Sequence, residues 1–324
     1  MKRFYVIFAA FTAALVFSCN KAEVIKTNED SDTVSHNTTV VTKAVGDKTP
    51  EVFVYIETND VNPLNAVDYK LGSNTFIDYV CLFSSNIHLD DNNMPTVYFN
   101  DKLVPYLMNG GVDTYIRPIQ DEGTAVLLGV LGDWANKGLA NMTTAEADYF
   151  ATKLAYVVSL YELDGVCFDD EYSGTSTVTS GSYSRVITKY RELMPDSIIA
   201  VFDWGATSSI SSTAASEIDL ANHGYFGSIV PYYYSDIPGM DKARWSPMSF
   251  NLGNTLNTYT IQSQAAYTKN NNYGHMMFFN MRTRNDVDPL PYFQAAATGA
   301  GFGTVTCTNG NRTPATAASS GYTF

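Results

Sequence analysis

Residues 164–171 of this 324-residue chain read Asp-Gly-Val-Cys-Phe-Asp-Asp-Glu, an apolar stretch that abruptly becomes acidic. Val166 and Phe168 alternate at period two, so they share one face of a predicted strand, and Asp169 and Glu171 share the other. Burying carboxylates is costly unless they serve a purpose. At the C-terminal end of a barrel strand, such a pair is typical of a catalytic site.

Apolar strand-like runs alternate with helical segments through the rest of the chain. Predicted strands cover 52–56, 76–83, 125–131, 164–169, 198–203, 225–231, 248–252 and 275–281, with an extended hairpin at 87–99. Predicted helices cover 101–122, 143–161, 182–194, 258–270 and 289–298. Eight predicted strands alternating with helical and loop segments favour an α/β fold, a single (β/α)8 TIM barrel. Counting alone leaves a doubly wound open sheet as the alternative, and the acidic strand end favours the barrel.

The first 50 residues do not have a globular pattern. Two basic residues precede an apolar run at 4–17, which predicts a signal peptide at 1–18. Cys19 follows Ser18 as in a bacterial lipoprotein box, so we expect lipidation at Cys19; an ordinary signal peptide is the alternative. Residues 19–50 are polar and predict a disordered tether. The barrel domain is assigned to 51–324, at the bacterial cell envelope, periplasmic or on the cell surface.

The charge and the cysteine and histidine content of the chain limit the classes of ligand and partner that we expect. The formal charge of −13 argues against nucleic acid and anionic lipid, so membrane contact is expected only through the lipid anchor. Cys81, Cys167 and Cys307 have no metal-ligand spacing, and the four histidines are scattered. The sequence therefore predicts no metal, no cofactor and a monomer.

Two neighbouring carboxylates push their pKa values apart, which gives one proton donor and one anion near neutral pH. Glycoside cleavage requires this division of labour. Asp169 and Glu171 come from the same strand, however, so neither supplies a nucleophile on the opposite face of the sugar. A nucleophile carried by the substrate, the 2-acetamido oxygen, would resolve this.

Residues 163–172 resemble the DGxDxDxE signature of glycoside hydrolase family 18, and most resemble its small bacterial endo-β-N-acetylglucosaminidases of the endoglycosidase H type. The resemblance extends over about 51–303. It includes the segments 55–59, 64–65, 116–118, 126–132, 140–141, 194–196 and 231–233.

The resemblance implies a substrate-assisted retaining mechanism. Glu171 would protonate the leaving sugar and then act as base for water. Asp169 would bind the acetamide N–H and stabilise an oxazolinium-like intermediate. Tyr232 matches the tyrosine that contacts the acetamido oxygen, and Tyr233 is its nearest competitor. We expect the pKa of Glu171 to be raised by Asp169 and by burial.

The activity implied by the resemblance is hydrolysis of the GlcNAc-β-1,4-GlcNAc bond in the chitobiose core of N-linked glycans or glycoproteins. Two departures from the family pattern stand out. Cys167 replaces the first in-strand aspartate, and Val230 stands where a polar residue is usual. Neither removes the acid or the acetamide partner, so we expect activity to survive at a reduced level; both motivate the alternative of a weak or inactive surface glycan-binding lipoprotein. A chitinase is a third possibility.

Further candidates are placed by their position at strand ends. Substrate contacts are predicted for Trp134, Glu57, Asp203, Trp204, Asn280 and Arg282. Trp134 could stack on a sugar ring or anchor a loop, and Glu57 could reach the site or make a structural hydrogen bond. Asp164 is predicted to be structural, and Asp170 to be a solvated or helix-facing carboxylate.

Overall fold

A computed structural model describes residues 48–132, 137–171, 173, 177–224, 235–281 and 287–324, which all lie within the unit Val41–Phe324. Its strands are Glu51–Glu57 (β1), Tyr69–Leu71 (β2), Asn74–Thr75 (β3), Tyr79–Leu89 (β4), Pro95–Phe99 (β5), Ala125–Leu131 (β6), Gly165–Asp169 (β7), Ile198–Asp203 (β8), Leu220–His223 (β9), Trp245–Ser246 (β10), Phe250–Asn251 (β11), His275–Met281 (β12), Val305–Cys307 (β13) and Tyr322–Thr323 (β14).

The helices are Val104–Leu107 (α1), Arg117–Asp121 (α2), Thr144–Leu160 (α3), Ser182–Leu193 (α4), Ser212–Ala215 (α5), Thr258–Asn270 (α6) and Leu290–Gly299 (α7). Short 3-10 turns cover Pro63–Asp68, Leu139–Asn141, Thr207–Ser209 and Lys242–Arg244, and a π-helical turn covers Val112–Ile116.

Parallel strands curl around in chain order, and among the described residues the step from β10 to β11 is made by the chain and not by strand pairing. The ring runs β1, β4, β6, β7, β8, β9, then β10 and β11, then β12, and β12 pairs with β1. The first and last strands are therefore neighbours, whereas a doubly wound open sheet would keep two free edges. This pairing confirms the predicted (β/α)8 barrel.

One position in the ring is interrupted. Trp245–Ser246 pairs with β9 and Phe250–Asn251 pairs with β12, so the short segment 245–251 bridges the two neighbouring strands. The sequence predicted one strand at 248–252, and the structure divides it into two short pairs.

The prediction for the sixth barrel strand was wrong in position. It was placed at 225–231, but the strand at this point of the ring is β9, Leu220–His223, and residues 225–234 lie outside the described part of the chain. The physical reason is that β9 ends in two buried polar residues, Asn222 and His223. Buried polar side chains of this kind are stable in a strand only when other parts of the fold supply hydrogen-bond partners, which the local sequence does not show.

Alternation along each strand produces two apolar layers. Outward side chains pack under the helices, with Val54, Val166 and Phe168 fully buried there. Inward side chains fill the barrel, with Phe53, Leu127 and Met277 fully buried. Full burial of each such side chain contributes roughly 1.5–3 kcal/mol. The barrel is a packed core rather than a pore.

The longest helix begins as the sequence predicted. Thr143 Oγ1 accepts from the backbone N–H of Glu146 at 3.3 Å, and the Glu146 carboxylate accepts from the Thr143 N–H at 2.7 Å. This capping box starts α3, which carries the chain from β6 to β7. Among the helices in the described residues, none combines the length and hydropathy of a membrane-spanning segment.

Candidate active site

The signature strand is held deep in the barrel. All five residues of β7 are buried, and a side chain on Gly165 would place its Cβ 2.0 Å from the carbonyl oxygen of Ile198. Only glycine permits this close approach to β8. The period-two pattern then places Cys167 and Asp169 on the interior face, as predicted.

Asp169 and Glu171 line one cavity of about 310 Å³. Glu57 and Asn280 supply its other polar side chains, and its apolar walls are Tyr55, Phe83, Leu131, Phe202 and Phe279. No lysine or arginine in the described residues lines this cavity. A mostly apolar site with a few convergent acids and one amide suits a neutral sugar, whose ring faces are apolar and whose rim is polar.

The two carboxylates have different environments. Asp169 is 4% exposed, and burial followed by the charge of Glu171 raises its pKa well above the ordinary value. Glu171 is exposed at the rim, and partial desolvation raises its pKa. The predicted direction for Glu171 is confirmed.

Asp169 also has an unused acceptor. Within the described residues its Oδ1 atom is buried and has no hydrogen-bond partner. A buried polar atom without a partner is costly, so native structures usually assign it a role. The geometry makes this oxygen available to a donor group on a ligand in the cavity.

A buried hydrogen-bonded chain lies beneath the site, and sequence analysis did not identify it. His275 Nε2 lies 2.8 Å from Asn222 Oδ1, and Asn222 Nδ2 donates to the Tyr55 hydroxyl at 3.1 Å. The Tyr55 hydroxyl lies 3.0 Å from Cys167 Sγ. Because Asn222 Oδ1 is an acceptor only, His275 is the donor to Asn222, whereas in the last pair either the Tyr55 hydroxyl or the Cys167 thiol can donate.

Asn280 reaches the cavity through a bulge. Val54 pairs with Phe278 and Ile56 with Met281, so β12 has one extra residue in this interval. Asn280 takes the left-handed conformation there, with φ of 59°. The bulge allows two consecutive residues, Phe279 and Asn280, to line the cavity.

The orientation of the Asn280 amide is fixed by a second asparagine. Asn251 Oδ1 accepts from the Gly253 N–H at 2.9 Å, which identifies that atom as the oxygen. Asn280 Nδ2 donates to the same oxygen at 2.7 Å, so its remaining atom, Oδ1, is an acceptor. This Oδ1 is buried without a partner in the described residues. The site therefore presents a second acceptor besides Asp169.

Two residues that the sequence predicted to contact substrate do not line this cavity. Asp203 is wrongly predicted, because alternation along β8 turns Phe202 inward and Asp203 outward. Its carboxylate accepts from Thr207 Oγ1 at 2.8 Å and Ser235 Oγ at 2.6 Å, so it anchors loops instead. Trp204 follows Asp203, is 38% exposed, and is not among the residues that line the cavity.

The other acidic residues of the signature are structural. Asp164 Oδ2 accepts from the Val126 N–H at 2.7 Å, which confirms its predicted role. Asp170 is fully buried, which excludes the solvated alternative of its prediction and leaves the helix-facing one. Its Oδ1 accepts from the Leu139 N–H and from Ser173 Oγ, both at 2.8 Å, and holds the loop after β6.

Several predicted residues lie outside the described part of the chain. These are Cys19, Trp134, Val230, Tyr232, Tyr233 and Arg282. Their roles stay predictions.

The apolar walls of the cavity were not identified from the sequence. Tyr55 and Phe202 lie on interior positions of their strands, and Phe83 in β4 and Phe279 in β12 pack against the same interior cluster. Extending the period-two pattern of each predicted strand to its last inward residue would have found them. Polar residues at strand ends are only part of a sugar site, which also needs aromatic faces.

The comparisons with known proteins give consistent names. No family model matches the chain. It is 36% identical over 255 residues to an endo-β-N-acetylglucosaminidase of Flavobacterium sp. (strain SK1022), covering 75% of this chain and 78% of the relative. It is 33% identical over 245 residues to endo-β-N-acetylglucosaminidase F1 of Elizabethkingia meningoseptica, covering 70% of each chain.

Two crystal structures of Bacteroides thetaiotamicron EndoBT-3987 are similar in fold. One holds a Man5GlcNAc product (TM-score 0.68) and one a Man9GlcNAc2Asn substrate (TM-score 0.70), each at 27% identity over 82% of this chain. The chain spans 64% of the first and 68% of the second.

Proposed function

The chain belongs to the endo-β-N-acetylglucosaminidases of glycoside hydrolase family 18, and we propose that it hydrolyses the β-1,4 bond between the two GlcNAc residues in the core of N-linked glycans. The observation that carries this proposal is the pair Asp169 and Glu171 in one cavity, with the buried acid below and the exposed acid at the rim.

The reaction uses the acetamide of the substrate as nucleophile. The acetamido oxygen attacks the anomeric carbon while the glycosidic C–O bond breaks, and Glu171 gives its proton to the leaving oxygen. The product of this step is an oxazolinium ion and a free GlcNAc end. Water then attacks the same carbon, Glu171 takes the proton, and the oxazolinium ring opens to regenerate the acetamide.

Asp169 positions the acetamide. Its Oδ1, which has no hydrogen-bond partner among the described residues, accepts the N–H of the acetamide. This contact turns the acetamido oxygen toward the anomeric carbon and stabilises the positive charge that develops on the ring. Tyr232 contacts the acetamido oxygen, as the family resemblance implies. A raised pKa keeps a proton on Glu171 for the first step.

Oligomannose N-glycans are the proposed substrates. The EndoBT-3987 structure with Man9GlcNAc2Asn supports this choice, as does a cavity whose described lining has no cationic side chain. Such a lining offers nothing to the anionic groups of acidic glycans.

The test is incubation of the soluble barrel domain with an oligomannose glycoprotein, followed by mass spectrometry of the protein. The expected product retains one GlcNAc at each site. A chito-oligosaccharide in parallel identifies a chitinase if only that substrate is cleaved. Tight glycan binding by folded protein, with no cleavage of either substrate at high enzyme concentration, would identify a binding protein. Cys167, which occupies the position of the first in-strand aspartate of the family pattern, is the observation that favours the last alternative.

The enzyme is further proposed to be a monomer attached to the cell envelope by lipid on Cys19. The signal-like segment 1–18 and the following cysteine support the anchor. In cells that express the full chain, Cys19→Ala should move the protein from the membrane fraction to the soluble fraction. Equal distribution of both proteins would reject the anchor, and light scattering of the barrel domain tests the monomer.

A further inference from the structure

Two residues that line the active-site cavity have a buried acceptor oxygen without a hydrogen-bond partner in the described residues. These oxygens are Asp169 Oδ1 and Asn280 Oδ1. The function proposed above uses only the first, which receives the acetamide N–H of the substrate. A buried acceptor that the protein leaves without a donor indicates a donor on the ligand. Asn280 therefore requires a second hydrogen-bonding group on the same sugar.

The backbone of Asn280 is held in an unfavourable conformation by its surroundings. Its φ of 59° lies in the left-handed region, which few residues other than glycine adopt and which asparagine tolerates better than most. Asn280 Nδ2 donates to Asn251 Oδ1 at 2.7 Å. The Leu252 N–H donates to the Phe279 carbonyl at 2.9 Å, which ties the bulge of β12 to the segment after β11. Backbone strain that neighbouring contacts maintain in this way is typical of functional sites.

Gly253 leaves room for the two asparagine side chains. A Cβ atom on Gly253 would lie 2.4 Å from Asn280 Nδ2 and 3.1 Å from Asn251 Oδ1, so a side chain at this position would displace the pair. The Asn280 amide cannot turn over without losing its hydrogen bond to Asn251. Asn280 therefore has an oxygen left for a ligand rather than a nitrogen, and its partner must be a donor.

Asp169 and Asn280 lie on opposite sides of the barrel. In the order β1, β4, β6, β7, β8, β9, β10 with β11, and β12, the strands of Asp169 and Asn280 are four positions apart in either direction. Two strands so placed among eight positions face each other across the barrel axis. Glu57, another acceptor that lines this cavity, ends β1, which is three positions from β7. A sugar in the cavity therefore meets Asp169 on one side and Asn280 on the other.

The geometry of the GlcNAc ring identifies the second donor. The acetamide is attached to C2, and O4 of this residue carries the rest of the glycan, so the 3-hydroxyl and the 6-hydroxyl are the remaining donors. The 3-hydroxyl is on the carbon next to C2 and lies on the side of Asp169. The 6-hydroxyl is carried by C5, which is directly across the ring from C2. It therefore lies on the side of Asn280.

We propose that Asn280 Oδ1 accepts a hydrogen bond from the 6-hydroxyl of the GlcNAc whose acetamide is held by Asp169, and that this contact makes the enzyme specific for a free 6-hydroxyl. This inference rests on the proposed function. The two contacts fix opposite ends of the ring and keep the acetamido oxygen aligned with the anomeric carbon. A 6-O-sulfated GlcNAc has no hydrogen to donate there, and no lysine or arginine in the described lining receives its charge, so it is rejected.

Substrates that differ by one oxygen atom test this contact. The parent is a synthetic Man3GlcNAc2-asparagine, and two analogues lack the 6-hydroxyl or the 3-hydroxyl of the GlcNAc that carries mannose. For the wild type, loss of the 6-hydroxyl should lower kcat/KM about tenfold or more, because a buried acceptor is left unpaired. Asn280→Gly removes the acceptor and tolerates the left-handed backbone. It should cleave the parent and the 6-deoxy analogue with kcat/KM values within about twofold of each other.

Glu57→Gln is the matched control, because it changes another acceptor in the same cavity. It should keep the full penalty for the 6-deoxy analogue, and the penalty for the 3-deoxy analogue should be the same in the wild type and in Asn280→Gly. Asn251→Ala is a second variant, which keeps Asn280 but releases its amide, and it should reduce the 6-deoxy penalty. The proposal is overturned if folded Asn280→Gly keeps the wild-type penalty, or if Glu57→Gln removes it instead. If Asn280→Gly does not fold, an unchanged penalty in Asn251→Ala overturns it.

A binding measurement separates failure of this inference from failure of the proposed function. Calorimetry with the product Man3GlcNAc and its 6-deoxy form requires no turnover. The wild type should bind the 6-deoxy form about three- to tenfold more weakly, and Asn280→Gly should bind both forms equally. If the wild type cleaves no substrate, the proposed function fails, and the calorimetry still decides whether Asn280 holds the 6-hydroxyl. Equal affinity of the wild type for the two forms, or no binding of either, would reject the contact.

Discussion

The hydroxyl of Tyr55 lies 3.0 Å from the Sγ atom of Cys167, two residues before Asp169 on the interior of β7. Burial is the largest cause that raises the pKa of Tyr55, and the pKa of the neighbouring Cys81 thiol is raised in the same way. The residue two positions before Asp169 is therefore a thiol in contact with a buried hydroxyl, where the family resemblance implies a carboxylate.

Replacing this thiol should change catalysis and stability in opposite directions. We expect Cys167→Asp to raise kcat by about threefold or more, since Tyr55 can donate to the new carboxylate and a shared proton would hold Asp169 toward the acetamide. The same change buries another acid, so it should lower the Tm at neutral pH. Cys167→Ser, which stays neutral, should leave kcat nearly unchanged. A folded Cys167→Asp enzyme with no gain in kcat would show that the thiol is not a weakness.

Removing the proton donor should nearly abolish turnover. Glu171→Gln should lower kcat by about 10²- to 10⁴-fold while glycan binding is retained. Because Glu171 is exposed, its Tm should change little. Glu57→Gln is the matched control, a second glutamate in the same cavity. Its effect on kcat should be far smaller, and an equal loss in both variants would instead indicate a mechanism with two carboxylates.

Asp169 should make the folded protein less stable as pH rises. Its pKa is raised in the folded state, so that state binds the proton more tightly than the unfolded chain does. Stability is therefore lost as pH rises from the ordinary aspartate pKa through the raised one. Asp169→Asn removes this loss, so its Tm should exceed that of the wild type at pH 7 and approach it at pH 4. Parallel Tm curves over this range would contradict the assignment. The kcat of Asp169→Asn should fall sharply, because the variant loses the carboxylate that positions the acetamide.

Asn251 should act through Asn280 without touching substrate. Asn251→Ala frees the Asn280 amide to rotate, and we expect a rise in KM of about three- to tenfold with a smaller change in kcat. Asn251→Asp keeps the accepting oxygen and should restore KM to within about twofold of the wild type. If the two variants have the same KM, the hydrogen bond does not position Asn280.

The sequence could predict those features that follow from local pattern. Period-two alternation placed Asp169 inside the barrel, and the capping box at Thr143 located the start of α3. The same alternation contradicts the prediction for Asp203, because Phe202 is the inward residue of β8. The prediction for Asp203 followed from its polar side chain at the strand end and did not consider whether that position points inward or outward.

Features that depend on tertiary partners could not be predicted. Asn222 is polar and fully buried in β9, which is acceptable only because Tyr55 and His275 satisfy its amide. The bulge at Asn280 reverses the parity of β12, and nothing in the local sequence announces a left-handed asparagine there. Both features decide what the active-site cavity presents to a sugar.

The packed interior below Tyr55 has a consequence for the order of events. Phe53, Leu127 and Met277 fill the barrel from wall to wall, so the described residues leave no exit at the bottom. Substrate and products therefore use the same opening of the active-site cavity. Product release must therefore precede binding of the next glycan, so tight binding of the cleaved glycan would lower the turnover rate.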